Sequence, residues 1–386
     1  MFFCKDTKKQ LNFKLEPKVF ANRETEVKFF NSRLNDALDG KCRHYVITGS
    51  WGVGKTSLLK QLKLFAQTKG MWASCFPLRS FSANETPLDF VAHLIQMATA
   101  DLPIQPNAKE KLYKQLDGIG LPTLTYGLQT NRKLNNQTID PHLALKQGFL
   151  NLVEHICKHK AVPFILLIDD IQNIEGKTEL LTLLKNVLTD PELINKENLL
   201  VILSCTENAW DPFLKPNHPI GRLFMPRNRL LPLDEKSMNK FIRNSLKGTN
   251  IIFDDALFTR IYQITNGHPF EVHALCYALF EHQIKNRVSL KQWDAAVSQT
   301  LLALGDAEFS SLVKSASELE LKVLKVLATY KIPIELEKLK KRCSKIKSLS
   351  EILSRLCEKN IVTRVRRGVY FIKDRLFAIY ILNYEQ

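Results

Sequence analysis

A glycine-rich loop from Gly49 to Thr56 contains the residue types that hold a phosphate group. Glycines let the backbone bend until several N–H groups point at one anion. The ammonium group of Lys55 can then reach the β- and γ-phosphates of a nucleotide, and the hydroxyl of Thr56 can bind Mg²⁺. The predicted nucleotide contacts in this segment are Gly49, Ser50, Trp51, Gly52, Val53, Gly54, Lys55, Thr56 and Ser57.

The segments that flank this loop support the interpretation. The apolar residues Tyr45-Val46-Ile47 precede it, and a helix-like run over residues 57–62 follows it. A strand, a loop and a helix in this order are the setting that a phosphate loop requires. The positive end of the helix dipole adds to the attraction for an anion. A chance glycine turn is the alternative.

A second apolar run, Phe164–Ile168, ends in the two carboxylates Asp169 and Asp170. A buried strand with this ending is typical of a Walker B element. We expect Asp169 to hold Mg²⁺ through water and Asp170 to polarise the attacking water. A helix cap after the strand is the alternative role for Asp170.

The run Leu199–Leu203 ends in hydroxyl groups, at Ser204 and Thr206. The first, third and fourth strands are expected to be neighbours. Either hydroxyl could therefore hydrogen-bond the γ-phosphate or its water. A plain strand-end cap remains open as the alternative.

Five short apolar runs alternate with helix-like stretches, which predicts an α/β fold with a parallel sheet covered on both faces. These runs are His44–Thr48, Trp72–Pro77, Phe164–Ile168, Leu199–Leu203 and Arg229–Leu233. Further along the chain, the periodicity is helical, and a hairpin signal at Arg367-Gly368 follows three helices, as in a winged helix. We predict an N-terminal extension (1–16), a P-loop core (17–234, with an insertion or connector at 103–145), a helical lid (235–305) and a winged helix (306–386).

The composition excludes several classes of protein for this chain. Apolar residues make up 45% of the 386 residues, and Lys plus Arg exceed Asp plus Glu by 55 − 39 = 16. No apolar run approaches the ~20 residues of a membrane helix, and the first residues are not a secretory signal. The eight cysteines are scattered without a C-x-x-C pair, which argues against a zinc site or a disulfide framework. A cytoplasmic protein without a membrane partner is expected.

These motifs resemble the AAA+ superfamily, in particular its origin-recognition-complex-like and STAND-type ATPases, from Phe20 to about Leu304. The box Phe20-Ala-Asn-Arg23-Glu-Thr-Glu is similar to a family element that lies against adenine. The resemblance implies that the backbone of Val19 and Phe20 and the side chain of Arg23 contact the base. Most AAA+ proteins have Glu where this chain has Asp170, which predicts slow hydrolysis.

Two further elements are similar to family motifs. Gly221-Arg222 resembles a pair that places an arginine at a nucleotide, so Arg222 is the candidate arginine finger, with Arg227 and Arg229 as competitors. Gly267-His268-Pro269 resembles an element whose proline packs on adenine, which implies that Pro269 does so here. A surface arginine and a simple helix start are the respective alternatives.

The basic charge is concentrated near the end of the chain. Residues 331–375 contain 14 Lys or Arg and 5 Asp or Glu, a net +9. In a winged helix, such residues can meet DNA phosphates or a groove. The predicted contacts are Arg355, Lys359, Arg364, Arg366 and Arg367. A solvated basic face, or a winged helix that packs within the chain, is the alternative.

These observations predict a DNA-associated AAA+ ATPase that binds ATP and Mg²⁺ and hydrolyses ATP slowly. The main alternative is a STAND-type regulatory switch that binds a protein partner. Such switches carry long repeat sensors, whereas this sequence stops at Gln386, just after the winged helix. A small-molecule kinase is a third interpretation. A second copy of the chain is a further predicted partner.

Overall fold

The structure is a computed structural model that describes residues 23–100, 139–159, 162–174, 176–196, 198–215 and 218–383. These residues form two compact units, which we call the core unit (23–231) and the C-terminal unit (232–383). The predicted N-terminal extension and most of the predicted insertion at 103–145 lie outside the described residues.

The core unit alternates strands with helices. Its strands are β1 (Tyr45–Thr48), β2 (Trp72–Pro77), β3 (Phe164–Asp169), β4 (Leu199–Cys205) and β5 (Arg227–Arg229). Its helices are α1 (Glu24–Leu38), α2 (Lys55–Thr68), α3 (Pro87–Ala100), α4 (Pro141–His159), α5 (Thr178–Leu188), α6 (Pro191–Lys196), α7 (Glu207–Trp210) and α8 (Pro219–Leu223). Helix α4 begins at Pro141, so the last residues of the predicted insertion are helical.

The five strands form one parallel sheet in the order β2-β3-β4-β1-β5. Every residue of β3 and β4 is buried, so helices cover the sheet on both faces. The predicted α/β class is therefore confirmed, and β4 lies between β1 and β3. This order brings the carboxyl ends of β3, β4 and β1 together at one edge of the sheet.

The fifth strand is the main correction within the core unit. We predict it at residues 229–233, but it lies at Arg227–Arg229. The Leu230 N–H still donates to the Thr48 carbonyl at 2.7 Å. Beyond it, the Leu231 carbonyl accepts from the Arg23 guanidinium, and Pro232 has no N–H to donate to a neighbouring strand. The chain therefore leaves the sheet two residues after β5.

The C-terminal unit begins with a group of helices. These are α9 (Glu235–Leu246), α10 (Asp255–Thr265), α11 (Pro269–Glu281) and α12 (Trp293–Leu304), and a short α13 (Ser310–Lys314) follows a π-helical turn at Gly305–Phe309. The Asp234 carboxylate caps α9 by accepting from the Ser237 N–H at 2.7 Å. A short parallel strand pair, β6 (Ile252–Phe253) with β7 (Arg287–Val288), interrupts the helices. The purely helical pattern predicted here is wrong at that pair.

The remaining elements follow the order predicted for a winged helix. They are α14 (Glu318–Ala328), β8 (Ile334–Glu335), α15 (Leu336–Arg342), α16 (Leu349–Glu358), β9 (Val362–Arg366), β10 (Val369–Ile372) and α17 (Arg375–Asn383). The strands pair antiparallel in the order β8-β10-β9. The β9–β10 hairpin turns at Arg367-Gly368, where Gly368 has φ +73°. We call this hairpin the wing. Strand β8 and helix α17 were not predicted from the sequence.

The two halves of the C-terminal unit share one hydrophobic core. Buried apolar residues run without a break from α9–α12 through α14–α17. The rings of Phe309 and Phe377 lie 5.3 Å apart between the π-helical turn and α17. A Cβ on Gly305 would come within 2.8 Å of the Tyr380 ring. The predicted boundary at 305/306 therefore falls inside a continuous core.

Among the described residues, no helix combines the length and the apolar character needed to cross a bilayer.

Candidate functional site

The phosphate loop links β1 to α2 at the carboxyl edge of the sheet. Two of its glycines are required by the geometry. A Cβ on Gly49 would come within 2.8 Å of the Leu230 carbonyl oxygen, so a side chain does not fit beside the chain leaving β5. Gly54 has φ +99° and directly precedes the first residue of α2, a conformation that favours glycine. The loop can thus turn tightly into the positive end of a helix.

Lys55 lies at the centre of this loop. Its side chain is buried, and its ammonium group donates to the carbonyls of Gly49 at 3.0 Å and Ser50 at 2.9 Å. Burial lowers the pKa of Lys55, while the carboxylates of Asp169 and Asp170 act in the opposite direction. The loop therefore curves around a buried cation, which is the arrangement expected for binding phosphate oxygens.

Three side chains converge where β3, β4 and α2 meet. The Thr56 hydroxyl donates to one carboxylate oxygen of Asp169 at 2.5 Å, and the Ser204 hydroxyl donates to the other. Asp169 and Ser204 are buried. A carboxylate beside a hydroxyl at a phosphate loop is the donor set that Mg²⁺ takes together with phosphate oxygens and water. The residues present therefore fit a magnesium nucleotide.

Asp170 adopts the left-handed backbone conformation, with φ +55°. One of its carboxylate oxygens accepts from the Gln172 side-chain amide at 2.8 Å, and its backbone carbonyl accepts from the Asn173 N–H at 3.0 Å. Burial, followed by the nearby Asp169 carboxylate, raises the pKa of Asp170. A left-handed aspartate is uncommon and tends to occur at functional sites. Asp170 thus lies next to the Asp169 carboxylate, and its own carboxylate accepts a hydrogen bond from one amide.

Arg23 contacts the backbone of the phosphate loop at Val53. Its guanidinium donates to the carbonyls of Val53 at 3.0 Å and Leu231 at 2.8 Å, and it lies 3.6 Å from the Glu26 carboxylate. Burial lowers its pKa. These bonds tie the loop to the segment after β5. The predicted contact of Arg23 with adenine stays a prediction.

The remaining predicted nucleotide contacts come from several parts of the chain. Val19 and Phe20 lie outside the described residues. Pro269 is the first residue of α11 in the C-terminal unit, after His268. Ser57, the third residue of α2, is half-buried. The roles of these residues stay predictions.

The three candidate arginines have different surroundings. Arg222 is exposed in the short helix α8 and has no ion pair with the described residues. Arg227 donates to the Thr48 hydroxyl at 2.7 Å, beneath the phosphate loop. Arg229 binds the Glu207 carboxylate through two hydrogen bonds of 2.9 Å. The structure therefore brings Arg227 and Arg229, but not Arg222, to residues at the edge of the sheet.

Glu207 was not identified from the sequence. It is the first residue of α7 and follows Thr206, which directly succeeds β4. Its position after a parallel strand was the available signal, since the carboxyl ends of such strands collect ligand-binding residues. We call the loop Gly49–Lys55, together with Asp169, Ser204, Glu207 and Arg229, the phosphate edge.

The five predicted DNA contacts fall into two groups. Lys359 donates to the Glu320 carboxylate at 2.9 Å, and Arg355 lies 3.9 Å from the same side chain. Both therefore help to attach α16 to α14. The wing residues Arg364, Arg366 and Arg367 are exposed and form no ion pair with the described residues. Of the predicted DNA contacts, those of the wing are the ones left available.

Comparison with known proteins agrees with this geometry. Residues 19–202 match the family model described as an AAA ATPase domain. A search of curated proteins gave no match. The Walker-type ATPase PABY2304 of Pyrococcus abyssi is 19% identical, over 96% of this chain and 99% of that one, with a TM-score of 0.62. The ORC2 protein of Aeropyrum pernix, solved as ADPNP-ADP complexes, is 13% identical over 97% and 95%, with a TM-score of 0.62.

The two solved structures show a shared fold, and the family model covers the strands that carry the phosphate loop and the Asp169 strand. The match, the parallel sheet order and the convergence of Lys55, Thr56 and Asp169 together identify residues 19–202 as an AAA ATPase domain.

Proposed function

We propose that this chain binds MgATP at the phosphate edge and hydrolyses it slowly. The observation that carries the proposal is the contact of both Thr56 and Ser204 with the Asp169 carboxylate, beside buried Lys55. Lys55 binds the β- and γ-phosphates, and Thr56 and Asp169 hold the ion. When bound, Mg²⁺ neutralises charge that develops on the phosphates. Ser204 donates to the γ-phosphate or to the water next to it.

Asp170 is the proposed general base. Its raised pKa brings the carboxyl closer to the range in which a base works well near neutral pH. Its side chain is one methylene shorter than glutamate, and the Gln172 amide binds it. This hydrogen bond lowers the pKa of Asp170 and so makes the carboxylate a weaker base. Both features support slow turnover.

Calorimetry with ATP and ADP, each with and without Mg²⁺, tests the binding proposal. We expect heat of binding for both nucleotides and tighter ATP binding when Mg²⁺ is present. Phosphate release then measures turnover on the same material. The absence of binding heat for adenine nucleotides, with guanine nucleotides also silent, would refute the proposal.

We further propose that the wing binds DNA backbone phosphates. The support is the exposed, unpaired set Arg364, Arg366 and Arg367 on a two-stranded hairpin, in a segment with nine excess positive charges. Contacts of this kind release counterions, so affinity must fall as salt rises. Titration of labelled duplex DNA across a salt series tests this. Affinity that does not depend on salt would contradict it.

The STAND-type switch remains the second candidate, and one observation favours it. The winged-helix elements share a core with α9–α12, and Glu320 binds Lys359 while lying near Arg355. A domain so firmly packed within its own unit can act by transmitting the nucleotide state. This candidate predicts no salt-dependent DNA affinity. It also predicts that exchanging ATP for ADP changes hydrogen exchange in the C-terminal unit. A cytoplasmic location and a second copy of the chain as partner remain predictions.

A further inference from the structure

The end of β1 lies under an ion-pair cluster that the nucleotide-binding motifs do not include. Strands β4 and β5 flank β1 on its two sides. Glu207 follows β4, and Arg229 is the last residue of β5, where it pairs in register with Thr48. The Glu207–Arg229 pair therefore crosses the end of β1 at the point where the phosphate loop starts.

This pair has the geometry of a strong interaction. Nε and an Nη of Arg229 each donate to a different oxygen of Glu207 at 2.9 Å. Two parallel hydrogen bonds between a guanidinium and a carboxylate fix the relative orientation of the two groups as well as the distance between them. The side chain of Glu207 is 18% exposed and that of Arg229 is 56% exposed. A half-buried carboxylate thus holds an arginine whose side chain is largely exposed to solvent.

A second arginine holds the carboxylate in place. Arg227 lies 4.0 Å from Glu207 and 3.6 Å from Asp211, and its Nε donates to the buried Thr48 hydroxyl at 2.7 Å. Arg227 is therefore fixed to β1 through Thr48, while Arg229 forms its described ion pair with Glu207 alone. With two arginines and two carboxylates, the cluster has no net charge.

The cluster also acts on the phosphate loop. Arg229 pairs in register with Thr48, and Gly49, the first residue of the loop, directly follows Thr48. The charges of Arg229 and Glu207 therefore create an electrostatic field at the start of the loop. A triphosphate in the loop would bring anionic oxygens into the same field and compete with Glu207 for nearby cations. The most exposed of the paired cations in the cluster is Arg229.

We propose that Arg229 contacts the terminal phosphate of a nucleotide bound in the same chain, and that Glu207 is the residue that positions it. The inference rests on the proposed nucleotide site. Arg229 exchanges one or both of its bonds to Glu207 for bonds to phosphate oxygens. ADP lacks the terminal group, so the exchange distinguishes ATP from ADP. Arg222, which the sequence favoured, has no partner in the described structure that would orient it.

The test measures the ratio of the ADP and ATP dissociation constants by calorimetry on the full chain with Mg²⁺. Arg229→Ala should lower this preference for ATP by about tenfold or more, with ADP affinity changed less than about twofold. Arg229→Lys keeps the positive charge but lacks the two parallel N–H donors of the guanidinium, so this variant should lose part of the preference for ATP over ADP. Glu207→Gln leaves Arg229 unpositioned and should also lose part of it. Arg287→Ala is the matched control, because Arg287 has an equally short ion pair, 2.7 Å to Asp254, in the C-terminal unit.

The outcomes separate this inference from the proposed function. If the wild type binds neither nucleotide, the proposed function fails. If it binds both and Arg229→Ala weakens them equally, the pair is structural and the inference is overturned. A larger loss of the ATP preference in Arg222→Ala than in Arg229→Ala would also overturn it. Should Arg229→Ala fail to fold, Arg229→Lys and Glu207→Gln carry the same test, and an unchanged ratio in both refutes the inference.

Discussion

The arginines of the phosphate edge and those of the wing have opposite surroundings. At the phosphate edge, Arg229 and Arg227 are matched by Glu207 and Asp211. On the wing, Arg364, Arg366 and Arg367 have no carboxylate partner among the described residues. A paired guanidinium is held in one orientation, so it can bind only a group that lies at one particular position. An unpaired guanidinium on a solvent-exposed hairpin can meet any phosphate backbone that approaches.

This difference shows that charge content alone does not separate a nucleotide site from a polymer-binding surface. Specific recognition of a terminal phosphate needs fixed donors, and the ion pairs with Glu207 and Asp211 fix the arginines beside the phosphate loop. Non-specific binding to DNA needs accessible charge and gains from counterion release. The following changes test whether the two regions are as separate as their surroundings indicate.

The largest effect is expected from Lys55→Ala. The substitution removes the buried ammonium group whose charge-assisted bonds to phosphate are each worth about 1.5–3 kcal/mol. With two such bonds lost, ATP affinity should fall by roughly 10²-fold or more, as measured by calorimetry. Lys60→Ala, on the same helix α2 beyond the loop, is the control. If the comparison is correct, DNA affinity without nucleotide stays unchanged in both variants.

Asp170→Asn should affect turnover alone. The amide keeps the size of the side chain but cannot accept a proton, so phosphate release should fall by about 10²-fold or more. ATP affinity should stay within about threefold of the wild type, since Asp169 still holds the ion. A variant that turns over at the normal rate would show that Asp170 is not the base.

Replacing Arg364, Arg366 and Arg367 together by Ala should weaken DNA binding without affecting ATP. Removal of three phosphate contacts should reduce the slope of log affinity against log salt by up to about 3, and affinity at low salt by about one to two orders of magnitude. The matched control is Lys338→Ala with Lys340→Ala, because Glu335 and Glu337 pair with these lysines. An equal loss of DNA affinity in both variants would mean that the whole basic surface attracts DNA through its net charge and that the wing makes no special contribution.

The fold was predictable wherever burial controls the sequence pattern. Strands β3 and β4 are buried at every position, so each reads as an unbroken apolar run and was predicted within two residues. Helix α16 is one of the three helices predicted before the hairpin, because its apolar residues recur at helical spacing. Strand β5 gives no such signal, since Arg227-Asn228-Arg229 is polar and the apolar residues that follow already leave the sheet. Its position depends on pairing with β1, which is a long-range contact.

The site was predictable wherever one local motif supplies the chemistry. Lys55 and Thr56 follow from the loop, and Asp169 follows from an acidic strand end. Glu207 and Arg229 are 22 residues apart, and only the sheet order β4-β1-β5 brings them together. No sequence pattern records that order. The choice among Arg222, Arg227 and Arg229 therefore required the structure.

The smallest expected effect extends the comparison to buried charge in the two units. The core unit buries His44, whose pKa is lowered to about 4 by burial. The C-terminal unit instead gathers Glu271, Glu308 and Asp374, with His268 3.5 Å from Glu271. Burial raises the pKa of Glu308 to about 7, and the Asp374 carboxyl group contributes to this increase. Burial also raises the pKa of Asp374 to about 6, while its hydrogen bond with Glu271 acts in the opposite direction. The C-terminal unit also buries His273, whose pKa burial lowers to about 4, so the carboxyl cluster itself is the difference that a substitution of Glu308 tests.

For Glu308, the folded pKa lies above the unfolded value of 4.5, so its contribution is fully present below pH 4.5 and is lost as pH rises through 7. At about 1.4 kcal/mol per pKa unit, this is on the order of 2–3 kcal/mol between pH 4.5 and 8. Glu308→Gln removes the titrating group, so the variant should gain stability relative to the wild type at pH 8 and not at pH 4.5. Urea midpoints of both proteins at the two pH values measure the difference. The same relative midpoint at both pH values would show that Glu308 titrates alike in the folded and unfolded chain, and that the carboxyl cluster gives the C-terminal unit no pH response through this residue.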